Sequence, residues 1–131
     1  MTMHTASCSC GRLQARTTTA PLGVAVCHCL ACQRRSGSVF AVQARFAKDT
    51  VTVTGSAREF VRVGDAGSRA TFRFCPECGA TVYYTIEGFD DSIVIPVGAF
   101  ADPSFPAPTF SVYEERMHAW VRMPDGIEHM A

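Results

Sequence analysis

The chain has 131 residues, 47% of them hydrophobic and 18% charged, enough apolar material for one domain that buries roughly two thirds of its unfolded surface. Basic and acidic residues balance at 12 each, which removes any general pull toward nucleic acid or anionic membranes. No apolar run approaches the ~20 residues of a bilayer span, and Met1 to Ser7 lacks the basic-then-apolar pattern of a secretory leader. The expected setting is cytoplasmic and reducing, where the seven cysteines persist as thiols or metal thiolates rather than disulfides.

Cys8-Ser9-Cys10-Gly11 opens the part expected to be ordered, about residues 6–125 of a single domain spanning 1–131. In an ideal strand residues two apart lie ~6.6 Å apart, too far for two sulfurs each ~2.3 Å from one tetrahedral zinc. The backbone must therefore bend, and Gly11 tolerates the positive φ of a bend. Arg12 to Thr19 reads as a half-exposed strand ended by Pro21.

Cys27-His28-Cys29-Leu30-Ala31-Cys32 follows, three thiols in six residues. The turn that gathers Cys29 and Cys32 can continue as a short helix through Arg35, closed at Ser36-Gly37-Ser38. Strands are expected over Val39–Phe46, Val51–Thr54, Glu59–Val63, Ala70–Phe74, Val82–Ile86 and Ile93–Ile95, with a turn or loop at Gly64–Ser68. Cys75-Pro76-Glu77-Cys78-Gly79 is the most specific local signal. Proline presets φ after the first ligand, and glycine permits the turn of a zinc knuckle after the second. Asp102 to Pro108 reads as an extended surface crossing, and Phe110 to Tyr113 precedes Met117-His118-Ala119-Trp120-Val121. No long helical period appears. The fold class is mainly β, short sheets tied together by metal.

Seven thiols divide in two ways. Cys8, Cys10, Cys75 and Cys78 can close one four-thiolate site and leave Cys27, Cys29 and Cys32 as an open one. Alternatively, Cys29/Cys32 and Cys75/Cys78 share a metal and leave Cys8, Cys10 and Cys27. The first division keeps the clustered thiols together. Structural zinc takes four protein ligands, whereas catalytic zinc takes three and keeps a position for water or substrate. His28 lies between two ligands, where its ring points away from them. Arg34 and Arg35 are candidates to receive substrate carboxylates through paired hydrogen bonds, with solvated surface arginines as the plainer reading. His118 and Trp120 are candidates to line a pocket, with packing as the plainer reading.

These pieces resemble the glutathione-dependent formaldehyde-activating enzyme family, which is grouped with centromere protein V. The resemblance rests on Cys8 to Gly11, on Cys27 through Gly37, on Phe74 to Gly79, and more weakly on Gly98 to Pro103 and the Trp120 region. It implies an Mss4-like (β-tent) zinc-stapled fold with two zinc ions per chain. Cys8, Cys10, Cys75 and Cys78 would hold the structural zinc; Cys27, Cys29 and Cys32 would hold the catalytic one. It also implies a carbon–sulfur lyase that joins a small thiol, glutathione, to formaldehyde or a related aldehyde as an S-hydroxymethyl adduct. No nucleic-acid or membrane partner is expected. Two positions depart from the family pattern: Gln33, where many members have Arg or Lys, and Ser111 of Pro108-Thr109-Phe110-Ser111, where many have His. The competing readings are a non-catalytic zinc-binding interaction module and a thiol redox or zinc-sensing protein.

Overall fold

In the computed structural model, which describes residues 3–64 and 67–130, strands dominate as expected. They run β1 His4–Ser7, β2 Gln14–Thr17, β3 Gly23–Cys27, β4 Ala41–Ala47, β5 Val51–Thr54, β6 Arg58–Val63, β7 Arg69–Phe74, β8 Thr81–Ile86, β9 Ser92–Pro96, β10 Phe110–Val112 and β11 Glu128–Met130. The helix α1, Leu30–Ser36, ends at Gly37, whose φ of 72° and N–H bond to the Gln33 carbonyl make a left-handed cap. Regular structure thus begins at His4 and reaches Met130, beyond the expected 6–125. Asp65 and Ala66 of the expected Gly64–Ser68 loop lie outside the described residues. No described helix is long and apolar enough to cross a membrane.

A three-stranded sheet ordered β1-β2-β5 lies beside an eight-stranded sheet ordered β11-β10-β3-β4-β9-β8-β7-β6. Pairing is antiparallel except around β10, which runs parallel to both β3 and β11. The main core is where the small sheet meets one side of the large one. Ala6, Leu13 and Ala15 pack there with Val24, Ala44, Phe46, Ile93 and Ile95. The proline-rich crossing is not wholly a surface strand, because Phe105 turns inward and stacks on Phe100 at 4.5 Å and 15°.

Strand alternation decides what the other side of the large sheet carries, since directly paired residues share a face. Val24 and Ala44 face the core. Their neighbours in sequence, Ala25, Cys27, Ala41 and Gln43, therefore face away from it. The register carries this second face onward through the Arg45–Val94, Tyr84–Val94, Phe72–Tyr84 and Phe60–Phe72 pairs, and through Arg62 opposite Ala70. Ala70, Phe72, Tyr84 and Val94 make a second apolar cluster there.

Gly55 lies in the link from β5 of the small sheet to β6 of the large one. Its φ is +97°, and a Cβ there would stand 1.9 Å from the Arg12 carbonyl oxygen. Gly88 also has positive φ, +95°, but open space around it. Gly88→Ala should cost ~1 kcal/mol of backbone strain, whereas Gly55→Ala, which must also displace backbone, should cost more than ~3 kcal/mol. Urea unfolding midpoints of the two variants measure the difference; equal losses would mean that the close approach at Gly55 carries no weight.

Candidate metal centres

Two hairpin tips built alike bring Cys8, Cys10, Cys75 and Cys78 together. At the β1–β2 tip the Cys8 amide donates to the Leu13 carbonyl (3.0 Å); at the β7–β8 tip the Cys75 amide donates to the Ala80 carbonyl (3.0 Å). Each tip carries a glycine of positive φ immediately after its second cysteine: Gly11 at 83° and Gly79 at 79°. Backbone amides turn onto the sulfurs, Leu13 N–H onto Cys8 Sγ at 3.2 Å and Glu77 N–H onto Cys75 Sγ at 3.4 Å. The ligand atoms of Cys8, Cys10, Cys75 and Cys78 all lie within 4.8 Å of one another. An Arg12–Glu77 contact of 3.8 Å spans the exposed rim.

These sulfurs fit a metal. Cys10 Sγ stands 3.7 Å from Cys8 Sγ and 3.6 Å from Cys75 Sγ. The edge of a tetrahedron with ~2.3 Å arms is about 3.8 Å. All seven cysteines are free thiols. Backbone N–H bonds from Ala80 and Cys10 hold the Cys78 thiol down to about 6, so its thiolate, the ligating form, is favoured.

The other three thiols meet on the second face of the large sheet. Cys27 ends β3 and is buried; Cys29 caps α1 and accepts the Cys32 N–H at 3.3 Å; Cys32 lies in the first helical turn and is buried. Their sulfurs also lie within 4.8 Å of one another. The fold therefore keeps Cys29 and Cys32 apart from Cys75 and Cys78, which selects the first division of the thiols. Hydrogen bonds from Cys27 and then Cys29, with the guanidinium groups of Arg35 and Arg62 behind them, outweigh burial and lower Cys32 to about 6. Cys27 moves far upward, through its hydrogen bond to Cys32 and through burial. Three sulfurs crowded within 4.8 Å of one another suit a cation among them, and among the described residues the set has no fourth ligand of the kind the other cluster has.

Polar bonds lock the loop around this triplet. The His28 ring is fully buried and turned away from the sulfurs, with Nε2 2.9 Å from Ser111 Oγ; burial lowers its pKa. Gln33 donates from Nε2 to the carbonyls of His28 (2.8 Å) and Arg116 (3.1 Å). Its Oε1 is thus an acceptor, and His118 Nε2, 2.9 Å away, must be the donor. Both positions that depart from the family pattern therefore hold a histidine of this chain in place. Trp120 is 69% exposed, its ring edge-to-face with that of His118 at 6.2 Å between ring centres.

Of the two candidate arginines, Arg34 is exposed, and Arg35 bends over the second face. Two residues at the site, Tyr84 and Arg62, escaped the sequence reading, and a third, Ser111, enters it only as a departure from the family pattern. Tyr84 is buried, which raises its pKa, and donates its hydroxyl to Gln43. Ser111 is the partner of His28, and Arg62 reaches the site from β6. Alternation marks β6 as a strand, but only the register shows that Arg62 shares a face with Cys27. The same face carries a hollow of ≈590 Å³ lined in part by Ala25, Ile86, Val94, Phe110 and Val112. Val112 also packs against the thiol triplet. Another hollow, ≈630 Å³ at Ala47, Lys48, Asp49 and Asp91, lies at the opposite end of β4 from Cys27.

Comparison with known proteins agrees with this geometry. The sequence profile described as "Glutathione-dependent formaldehyde-activating enzyme" matches residues 3–116. A Rhodobacter sphaeroides protein of known crystal structure superposes with a TM-score of 0.58 at 19% identity, over 76% of this chain and 91% of that one; the likeness is one of fold. No curated protein is significantly similar in sequence.

Ser111→Ala removes the hydroxyl at His28 Nε2 and should cost about 1–3 kcal/mol, the penalty of an unpaired buried polar atom. Urea unfolding measures it. An unchanged midpoint would show that the buried pair contributes nothing.

Proposed function

The chain belongs to the glutathione-dependent formaldehyde-activating enzyme family, and from that premise we propose that it is a zinc-dependent carbon–sulfur lyase. In the synthetic direction it joins glutathione, or a similar small thiol, to formaldehyde or a related aldehyde. The observation that carries this reading is the contrast between the two clusters: four converging thiols in one, three in the other. A four-ligand site is the structural kind, and a three-ligand site leaves a position for substrate. Cys8, Cys10, Cys75 and Cys78 are thus assigned the structural zinc, and Cys27, Cys29 and Cys32 the catalytic one, two ions per chain. Zinc bound at the triplet supplies a place where a thiol stays deprotonated at neutral pH.

The reaction balances without any redox partner. The thiol sulfur bonds to the carbonyl carbon, the carbon–oxygen π bond opens, and the thiol proton ends on the oxygen; the reverse breaks the carbon–sulfur bond. The chain's residues prepare the ground for this. Cys27 and Cys32 lie in apolar surroundings with Ala41 and Val112, which keep competing water away from the sulfur. Arg34 and Arg35 follow the triplet on α1 and receive substrate carboxylates, Arg35 from above the second face and Arg34 from its exposed rim. His28, its Nε2 engaged with Ser111, fixes the loop that sets Cys27 and Cys29. A reducing, cytoplasmic setting suits a site that depends on seven free thiols.

Calorimetric titration of glutathione onto the zinc-loaded protein should show saturable binding near one per chain. Cys29→Ala should abolish that binding and lower metal content from about two ions to one, with the fold retained because the four-thiol cluster is untouched. Adduct formation, followed by NMR, should exceed the enzyme-free rate, since the two substrates also combine unaided. A chain that carries two ions yet neither binds glutathione nor accelerates the adduct would overturn the reading.

A further inference from the structure

We propose that Arg35 and Arg62 together form a carboxylate subsite beside the thiol triplet, making the enzyme selective for thiols that carry a carboxylate over neutral ones. The inference rests on the reading of the triplet as a thiol-accepting site.

Arg35 leaves the last turn of α1 and lays its guanidinium 5.3 Å from the ring centres of both Phe72 and Tyr84. Arg62 comes from β6 and stands 5.1 Å from the same Phe72 ring. The two cations share one aromatic surface, and among the described residues neither forms a salt bridge. Glu59, three residues before Arg62 in β6, is committed to Arg73.

Arg35 adds a sharper observation. Its Nε and Nη2 are both buried and without a hydrogen-bond partner among the described residues. Those two nitrogens form one edge of the guanidinium, the fork whose parallel N–H bonds match the two oxygens of a carboxylate. Arginine cannot shed its charge, and buried donors left unpaired are costly. Like charges around one ring also repel until an anion joins them. A bound carboxylate relieves both conditions at once. Arg35 follows Cys32 by three residues on α1, and Arg62 lies on the sheet face that carries Cys27, which puts the subsite on the side of the sheet that holds the sulfurs.

Glutathione and its diethyl ester, in which both carboxylates are masked, should be compared by calorimetry and by adduct formation on the zinc-loaded protein. Wild type should bind the acid about tenfold or more tightly than the ester, as charge-assisted bonds to one fork imply. Arg62→Gln should weaken the acid severalfold and leave the ester unchanged. Arg35→Lys, which keeps the charge and the stem but loses the fork, should erase most of the preference. Arg58→Gln, an exposed charge of the same strand, should change neither. Equal affinity for acid and ester in wild type, or equal weakening of both in Arg62→Gln, would overturn the subsite. If turnover of both persists in that case, the lyase assignment stands without it. Selective binding of the acid with no turnover would leave the subsite and remove the lyase.

Discussion

The convergence of four sulfurs at two hairpin tips is the constraint on which the rest of the structure depends. Cys10 and Cys75 are 65 positions apart in sequence and 3.6 Å apart in space. One belongs to the β1–β2 tip of the small sheet and the other to the β7–β8 tip of the large one. Sulfurs this close cannot all ionise beside one another without a cation, and with one they become a cross-link. Structural zinc contributes on the order of 10 kcal/mol to folding, comparable with the whole net stability of a small domain. A zinc ion there would hold the sheet of three short strands, whose core share is Ala6, Leu13 and Ala15 with the partly buried Val51 and Val53, in its place on the larger one.

The second cluster obeys different physics. Its cysteines are local in sequence, so a strand end and one helical turn bring them together with no long-range tie. Long-range tuning enters through polar neighbours instead. Ser111 reaches His28 and His118 reaches Gln33, each across more than eighty positions. Buried hydrogen bonds of this kind favour one loop geometry because breaking them leaves further polar groups unpaired. The two sides of the large sheet then divide the labour. One is sealed against the small sheet, and the other holds the thiols, the guanidinium groups and an apolar hollow.

Much of this was legible in the sequence because metal ligation and capping are local. The Cys-x-Cys-Gly and Cys-x-x-Cys-Gly spacings announce bends, and Gly11 and Gly79 adopt the positive φ that those bends need. The helix after Cys29 and its stop at Gly37 follow from the same logic. Strands with apolar alternation or β-branched runs were readable, as in β4, β5, β7 and β8. β11 was not, since Glu128, His129 and Met130 are all exposed and pair through backbone alone. The division of the thiols stayed open because spacing says which cysteines lie near one another in the chain, not which hairpin tips meet. Arg62, and the partner of Ser111, stayed hidden for a related reason. Their roles arise from register and from parallel pairing, set by the whole sheet rather than by any short stretch.

The order of the cysteines along the chain has a consequence for synthesis. Cys8, Cys10, Cys27, Cys29 and Cys32 leave the ribosome well before Cys75 and Cys78. At roughly 5–20 residues per second the nascent chain carries five exposed thiols for several seconds with no partner hairpin. The triplet must wait longer still, since the Ser111 that braces it lies near the end. During that interval the early thiols are open to oxidants and to the wrong metal, and the four-thiol cluster can close only once Cys78 has been made. A metal taken up by the four-thiol cluster would thus have to wait for the second hairpin, and a reducing environment matters most while that hairpin is still unmade.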